Sequence, residues 1–335
     1  MKKSKQKIYS VGLFFFIAVC ASAQQMPVIP FNPDMQGIIL PAAVPSEYFV
    51  IGQRSAVGVS YRSSLGPPES SPATYAAWID GVVCKKASGF KPILGVYTVS
   101  DKFGPSQQTG IYGRLAVGQF QDKWGIAVGF SGGYQHYGFK LTEDMFVQSK
   151  DPFKSKDDPS VNYGNWNAGV FGYFSLSQND NFFLFYGIGI GQMNRSQLTI
   201  LTKKNPYLGI ENRKQTTLML GFIKIFKGSG GKKFIEPRLW LQHIDSLKAW
   251  QMTIQIRWQC FEYVFVKGGF STRLSRALKD KQTTKDNSAS YAHLGFGFLC
   301  DKNNRLRLTY GFNYGLSAIA LQYGSTHEFG ASYTF

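Results

Sequence analysis

The chain has 335 residues, and a hydrophobic share of 44% excludes an intrinsically disordered protein. Only 17% of the residues are charged, while 16% are aromatic and 36 are glycine, a combination that is unusual for a cytosolic α/β enzyme. The composition favours a β-protein with one face in an apolar medium, and the formal net charge is +17.

Residues 1–23 have the three parts of a secretory signal peptide. The basic stretch Met1–Lys7 precedes the apolar stretch Val11–Val19, and the tripeptide ASA at 21–23 supplies a cleavage pattern. We therefore expect a mature chain that starts near Gln24 and leaves the cytoplasm. Nucleic-acid binding is not expected in that compartment, and the sequence contains no recognition module.

The segment 24–49 differs from the rest of the chain. It shows no alternation of apolar and polar residues, and it contains the prolines Pro27, Pro30, Pro33, Pro41 and Pro45. Proline interrupts regular secondary structure. We expect an irregular periplasmic segment that packs beneath or inside the following domain at 50–335.

The domain at 50–335 alternates with a period of two residues, which is typical of β-strands. In the segment 250–259, WQMTIQIRWQ, every second residue from Trp250 is apolar and every residue between is polar. A soluble sandwich would place many charges and threonines on its outer face. Here the second face is mostly small, Gln or Arg, and aromatics stand at segment ends, as a transmembrane β-barrel requires.

Fourteen strands are predicted. Their connections alternate between two sets, one of which is mostly long and the other short. Short periplasmic turns and long extracellular loops are typical of bacterial outer-membrane barrels, in which the strand number is even. The strands are expected at 50–62, 73–83, 91–100, 110–120, 124–140, 163–175, 182–192, 214–226, 233–243, 250–258, 261–271, 291–299, 305–314 and 327–335, and the long connections at 63–72, 101–109, 141–162, 193–213, 244–249, 272–290 and 315–326.

The last strand ends on an aromatic residue. Phe329, Tyr333 and Phe335 share one face of this strand, and we expect them to form the outer-membrane insertion signal. The final strand must pair with the first, because an open sheet edge in lipid would leave backbone groups without partners.

The sequence offers little catalytic chemistry. The segment 129–133, GFSGG, matches the GxSxG pattern of hydrolases, but it lies inside an alternating strand instead of a strand-to-helix turn. His136 would face the opposite side from Ser131. The other histidines are scattered, so we expect no metal site and no cofactor. Cys84, Cys260 and Cys300 remain after signal cleavage, as separate thiols or with one disulfide.

The positive charge has two interpretations. Loop cations such as Arg276 and Lys279 can face lipopolysaccharide phosphates or an acidic partner. Arg257, Arg305 and Arg307 are expected to point inward, where they either favour anions or form hydrogen bonds across a filled lumen.

Several short motifs in collinear order resemble the PorP/SprF family of type IX secretion outer-membrane proteins from Bacteroidetes. FNP at 31–33 and GVSYRSSLG at 58–66 lie near the mature start. The best match is GVYTVSDKFGP at 95–105 followed by TGIY at 109–112, and GSTHEF at 324–329 precedes the last strand.

The resemblance implies a non-enzymatic role in exporting or anchoring particular cargo, including adhesins used in gliding motility. Its implied partners are outer-membrane lipids and lipopolysaccharide, a secreted cargo protein recognised through its C-terminal domain, and periplasmic secretion-ring components. The motif positions are candidates for recognition or for loop and turn structure: Asp101, Lys102, Gly104, Pro105, His327 and Glu328. An outer-membrane channel and a barrel-embedded lipid hydrolase are the alternative functions.

Overall fold

The computed structural model describes most of the barrel and a short part of the N-terminal segment. The described residues are 35–45, 48, 52, 55–64, 71–83, 89–104, 106–139, 160–177, 181–194, 197–199, 209–211, 214–226, 233–244, 249–275, 290–300, 305–317 and 325–335. The predicted signal peptide, Cys84 and Pro105 lie outside them. Cys260 and Cys300 are free thiols.

Fourteen antiparallel strands form one closed barrel, as predicted, and a separate hairpin of two short strands, β8 and β9, stands apart from it. The strands are β1 Ser55–Ser64, β2 Ala73–Val82, β3 Gly89–Phe103, β4 Ser106–Phe120, β5 Trp124–Phe139, β6 Ser160–Ser175, β7 Phe182–Gly191, β8 Gln197–Thr199, β9 Gly209–Glu211, β10 Gln215–Ile225, β11 Phe234–Ile244, β12 Ala249–Gln259, β13 Val264–Ser275, β14 Ser290–Leu299, β15 Leu306–Gly315 and β16 Thr326–Thr334.

The period of two places apolar side chains outside and polar side chains inside. In β12, Ile254 and Ile256 are 43% and 46% exposed on the outer face, whereas Gln255 and Arg257 are buried in the lumen. Arg307 is also luminal. The prediction for Arg305 was wrong, because this residue precedes β15 and is exposed at the barrel end.

The connection predicted at 101–109 was also wrong. Strands β3 and β4 continue pairing up to Phe103 and Ser106, so only two positions separate the paired residues along the chain. Gly104 has a φ of 52°, a conformation that glycine adopts without a steric penalty. The polar residues around the turn gave the segment the composition of a loop. Strands β3 to β6 have 15 or 16 residues and are the longest of the barrel.

Strands β1 and β16 close the barrel. Their register runs from Ala56 opposite Thr334 to Ser64 opposite Thr326, which leaves no open edge at the seam. The predicted insertion residues Phe329, Tyr333 and Phe335 all project outward and are 53%, 40% and 60% exposed. Their outward position is consistent with contact with lipid, and their role as an insertion signal stays a prediction.

Candidate functional site

A short part of the proline-rich region, residues 35–45, lies inside the barrel. It starts with helix α1, Gln36–Ile39, and continues in a turn where the Ala43 N–H donates to the Leu40 carbonyl over 2.9 Å. Leu40 is completely buried. No helix within the described part of the chain is long and apolar enough to cross a bilayer. We call residues 35–45 the luminal segment.

Four inward-facing glycines form the wall on which the luminal segment rests. A Cβ atom at Gly129 would lie 2.4 Å from the Pro41 carbonyl carbon, and a Cβ atom at Gly187 would lie 2.3 Å from Leu40 Cδ2. These distances are far below van der Waals contact, so the segment occupies space that any larger side chain would take. The glycine seat, as we call it, consists of Gly129 in β5, Gly169 in β6, and Gly187 and Gly189 in β7.

Arg114 fixes the luminal segment from the neighbouring strand β4. Its guanidinium pairs with the Asp80 carboxylate of β2. Its Nε donates to the Pro41 carbonyl oxygen over 2.6 Å, and its Nη2 donates to the carbonyl oxygen of Ala43. Hydrogen bonds from a charged donor are stronger than neutral ones, so one arginine holds both ends of the turn.

Apolar side chains fill the lumen toward the end that carries the short connections. Lys91 lies among them, and its Nζ donates to the Tyr48 hydroxyl over 2.7 Å and lies 5.3 Å from the Tyr48 ring centroid. The cluster includes Leu40, Ala42, Ala43 and Val44 of the luminal segment, so the segment packs against the other side chains of this cluster. The large buried members of the cluster are Leu40, Phe120, Phe171, Tyr173, Phe183, Phe185, Phe234 and Trp240.

A belt of hydrogen bonds between side chains runs along the part of the inner wall that is formed by β12 to β16 and β1, away from the glycine seat. The hydroxyls of Thr253 in β12 and Ser271 in β13 are 2.7 Å apart. Ser271 also contacts Nε2 of His293 in β14, and Nδ1 of His293 contacts the amide oxygen of Asn313 in β15. All four side chains are buried, so each hydrogen bond satisfies a polar group that has left water.

Arg62 carries this belt across the seam. Asn313 Nδ2 donates to the Thr326 hydroxyl over 2.7 Å, and Arg62 Nη2 donates to the same hydroxyl over 3.2 Å. In the register of the sheet Arg62 stands opposite Glu328, and the guanidinium is attracted to the carboxylates of Glu328 and Asp101. The structure therefore brings the motif positions Asp101 and Glu328, which are far apart in the chain, to one arginine.

Lys102 and His327, the motif positions next to these two carboxylates in the sequence, face the outside of the barrel. Lys102 is exposed on the outer side of β3. His327 lies on the outer side of β16, where its Nδ1 is 2.6 Å from the Tyr310 hydroxyl and its ring centroid is 5.1 Å from that of Phe312. The predicted set thus divides into luminal carboxylates, outer basic side chains and the turn at Gly104.

Ser131, the serine of the GxSxG pattern, is buried in the middle of β5. Its hydroxyl accepts hydrogen bonds from the Tyr97 hydroxyl over 3.2 Å and from Asn167 Nδ2 over 2.9 Å. The strand continues through it without the sharp turn that a hydrolase nucleophile requires. His136 is exposed on the outer face, as the period of two predicted.

Ser271, His293 and Asn313 have the connectivity of a Ser–His–Asn triad, which the sequence did not predict. Ser271 is only 3% exposed and lies inside the barrel, and its hydroxyl is hydrogen-bonded to the hydroxyl of Thr253 as well as to His293. A barrel phospholipase needs its serine at the lipid-facing surface, where the substrate is. The arrangement is therefore best explained as part of the structural belt.

The sequence profile of the family described as "type IX secretion system membrane protein PorP/SprF" matches residues 45–333. The chain belongs to the PorP/SprF family. The match begins before β1, ends one residue before the end of β16, and confirms the resemblance seen in the motifs. A comparison with curated proteins gave no match.

Solved structures similar to this PorP/SprF chain are bacterial barrels. A FadL homologue of Pseudomonas aeruginosa has a TM-score of 0.52 at 10% identity, covering 92% of this chain and 95% of its own. The toluene transporter TbuX of Ralstonia pickettii has a TM-score of 0.51 at 8% identity, with coverages of 91% and 94%. The monoaromatic hydrocarbon channel CymD has a TM-score of 0.51 at 8% identity, with coverages of 91% and 97%. At these identities the likeness shows the fold alone.

Two parts of the PorP/SprF lumen were not predicted from the sequence. Arg114 gave no signal, because a single arginine in a strand does not reveal which carbonyls it will meet. The glycine seat was visible only as glycines at small positions of three strands. A signal was present in the repeated glycines of 187–191, GIGIG, on one face of β7, since glycine within a strand often marks a close backbone approach.

Proposed function

We propose that this protein is a non-enzymatic outer-membrane component of type IX secretion that assists the export or surface attachment of specific cargo proteins. The observation that carries the proposal is a lumen occupied by residues 35–45 and by buried side chains in a member of the PorP/SprF family. A filled barrel is suited to act as a scaffold for other proteins instead of a passage for solutes.

In this proposal the short connections face the periplasm and the long connections face the outside, as in other outer-membrane barrels. The signal peptide at 1–23 delivers the chain to the periplasm. The N-terminal segment 24–49 then enters the barrel from the periplasmic end, where Tyr48 contacts Lys91 near the start of β3. The first described residues of the segment lie deeper in the lumen, against Trp78 and Tyr97.

The proposed partners are a secreted cargo protein, engaged through its C-terminal domain, and periplasmic components of the secretion ring. Lipopolysaccharide is the proposed neighbour of the basic side chains on the outer leaflet side. Lys102 and His327 lie on the outer surface near the ends of β3 and β16, so they are the motif positions that a partner could reach without entering the lumen.

A channel is the second candidate function. Its support is the fold shared with proteins described as hydrocarbon channels and a toluene transporter. Arg114 and the glycine seat oppose an open passage, because they hold the luminal segment by charge-assisted hydrogen bonds and by close packing.

Deletion of the gene tests the proposed role, with the restored gene as control. We expect one or a few proteins to be lost from the cell surface, measured by mass spectrometry of surface-exposed proteins, while the other exported proteins remain. A surface proteome that is unchanged by the deletion would contradict the role in secretion.

A further inference from the structure

A groove with a volume of about 690 Å³ lies on the outer, lipid-facing side of the barrel, across the seam between β16 and β1. This volume falls within the range of about 300–1,000 Å³ that is typical of ligand sites. Small side chains form the floor of the groove, since Ala331 in β16 and Ala77 in β2 flank Val59 of β1 in one row of the sheet. An indentation of this kind in a lipid-facing wall can receive part of a lipid molecule.

Aromatic side chains border the groove on the side of the long connections. Phe329, Tyr61 and Tyr75 stand next to one another in the register of β16, β1 and β2, and all three line the groove. The ring centroids of the two tyrosines are 4.8 Å apart, and their planes are inclined by 36°. Tyrosine is enriched where a membrane meets water, because its ring is apolar and its hydroxyl is polar. This aromatic row therefore marks the level at which an acyl chain ends and its headgroup begins.

Two hydroxyl groups continue the aromatic row on β3 and β4. Ser100 stands opposite Tyr75 and lines the groove, and its Oγ is 2.8 Å from Oγ1 of Thr109. One of these two hydroxyls donates to the other, so the hydrogen of the accepting hydroxyl is available for a further bond. A polar group of a lipid can accept that bond at the edge of the groove.

Lys102 places a positive charge directly beyond the hydroxyls. It is exposed on the same face of β3, two residues from Ser100, which corresponds to about 7 Å along the strand. The outward positions beside it in the register, Ala73 in β2 and Gln107 in β4, are uncharged. A lysine side chain can lie along an apolar surface and keep its ammonium group at the level of the headgroups. The sequence of apolar floor, aromatic row, hydroxyls and cation is complementary to a lipid that carries acyl chains and a phosphate.

We propose that this surface is a binding site for lipopolysaccharide, with one acyl chain in the groove and a phosphate of its lipid A part beside Lys102. The inference rests on the proposed function for its orientation, because the long connections must face the outside for the groove to lie in the outer leaflet. Lipopolysaccharide is the phosphorylated lipid of that leaflet. Its phosphate is attracted by the lysine, and its acyl chain covers the small side chains at the seam between the first and the last strand.

Native mass spectrometry of the purified full-length mature protein in detergent tests the site, with diphosphoryl lipid A and phosphatidylglycerol as separate probes. We expect a saturable complex with lipid A that is tighter than the complex with phosphatidylglycerol. Ala77→Leu fills the groove and should weaken the binding of lipid A about tenfold, because the acyl chain loses its place. Lys102→Gln should weaken it about fivefold, because it removes the charge beside the phosphate.

Two matched variants serve as controls, and heat-modifiable gel mobility shows that every variant is folded. Ala292→Leu enlarges an outward alanine of β14 outside the groove, and Lys224→Gln removes an exposed lysine of β10 next to a short connection. Both should bind lipid A like the wild type. Wild-type affinity in Ala77→Leu or in Lys102→Gln, or an equal affinity for phosphatidylglycerol, would overturn the proposal.

The surface proteome after deletion of the gene separates this proposal from the role in secretion. Binding of lipid A together with an unchanged surface proteome would contradict the secretion role alone. Loss of surface proteins together with a barrel that does not bind lipid A would contradict the lipid site alone.

Discussion

Gly129→Ala is the sharpest test of how the luminal segment is held. The added Cβ would lie 2.4 Å from the Pro41 carbonyl carbon and 2.5 Å from the Ala42 nitrogen, both backbone atoms that no rotamer change can move away. Ordinary contact needs about 3.5–4 Å, so the segment must move by about 1 Å or more. Such overpacking costs about 1–3 kcal/mol.

That cost is similar to the benefit of burying Leu40, about 1.5–3 kcal/mol. The population in which the luminal segment has left the wall should therefore rise by a factor of about 5 to 150. Strand pairing is unaffected, since Gly129 keeps its place in β5. The change is confined to the contact between the wall and the segment.

Chemical labelling measures this population. In a background where Cys84, Cys260 and Cys300 are replaced by serine, a cysteine placed at Ala43 is buried and should react slowly with a polar maleimide, because Ala43 is 1% exposed. Gly129→Ala should accelerate the labelling by the same factor, about 5 to 150. Gly113→Ala is the matched control, since its Cβ would point outward with no atom nearer than 4.0 Å. Equal labelling rates in the two variants would refute the glycine seat.

Three further predictions concern other parts of the barrel. Arg114→Met should lower the free energy of unfolding by about 1–3 kcal/mol, because the partly buried Asp80 carboxylate loses its ion pair with Arg114. The double variant with Asp80→Asn should lose less, and urea unfolding measures both. His293→Ala should cost about 1–3 kcal/mol in the same assay, because it removes a hydrogen-bond partner of buried Ser271; a cost below 0.5 kcal/mol would contradict the belt. Removal of Phe335 should reduce the fraction of the protein that is assembled in the outer membrane, measured by heat-modifiable gel mobility, whereas Phe335→Tyr should leave that fraction unchanged. An assembled fraction equal to that of the wild type after removal of Phe335 would contradict its role in the insertion signal.

The number of strands and the side of the wall that each side chain faces were predictable from the sequence, because both follow from the alternation of apolar and polar residues within single strands. In β12 the polarity of each residue indicates whether its side chain faces the lipid or the lumen. The segment WQMTIQIRWQ therefore reveals both the strand and its lipid-facing side without information on the adjacent strands. The connection around Gly104 was predicted too long because the polar residues Asp101, Gln107 and Gln108 belong to strands that are longer than a bilayer requires. Polarity there indicates strand ends beyond the apolar band instead of a loop.

The interior was not predictable in the same way. The belt from Thr253 to Arg62 depends on the register of six strands, and a shift of one residue would turn each member outward. The meeting of Asp101 and Glu328 at Arg62 depends in addition on closure between β16 and β1. Both are properties of the assembled barrel, and the sequence showed only that the small and polar face would line a lumen.

Single-channel recording of the reconstituted full-length protein in planar bilayers tests most directly the proposal that the lumen of this PorP/SprF barrel is closed and that the protein is a secretion component instead of a solute channel. A closed lumen predicts no steady conductance for the wild type. A large, stable, ohmic conductance would contradict it and would make the channel the better reading of the fold.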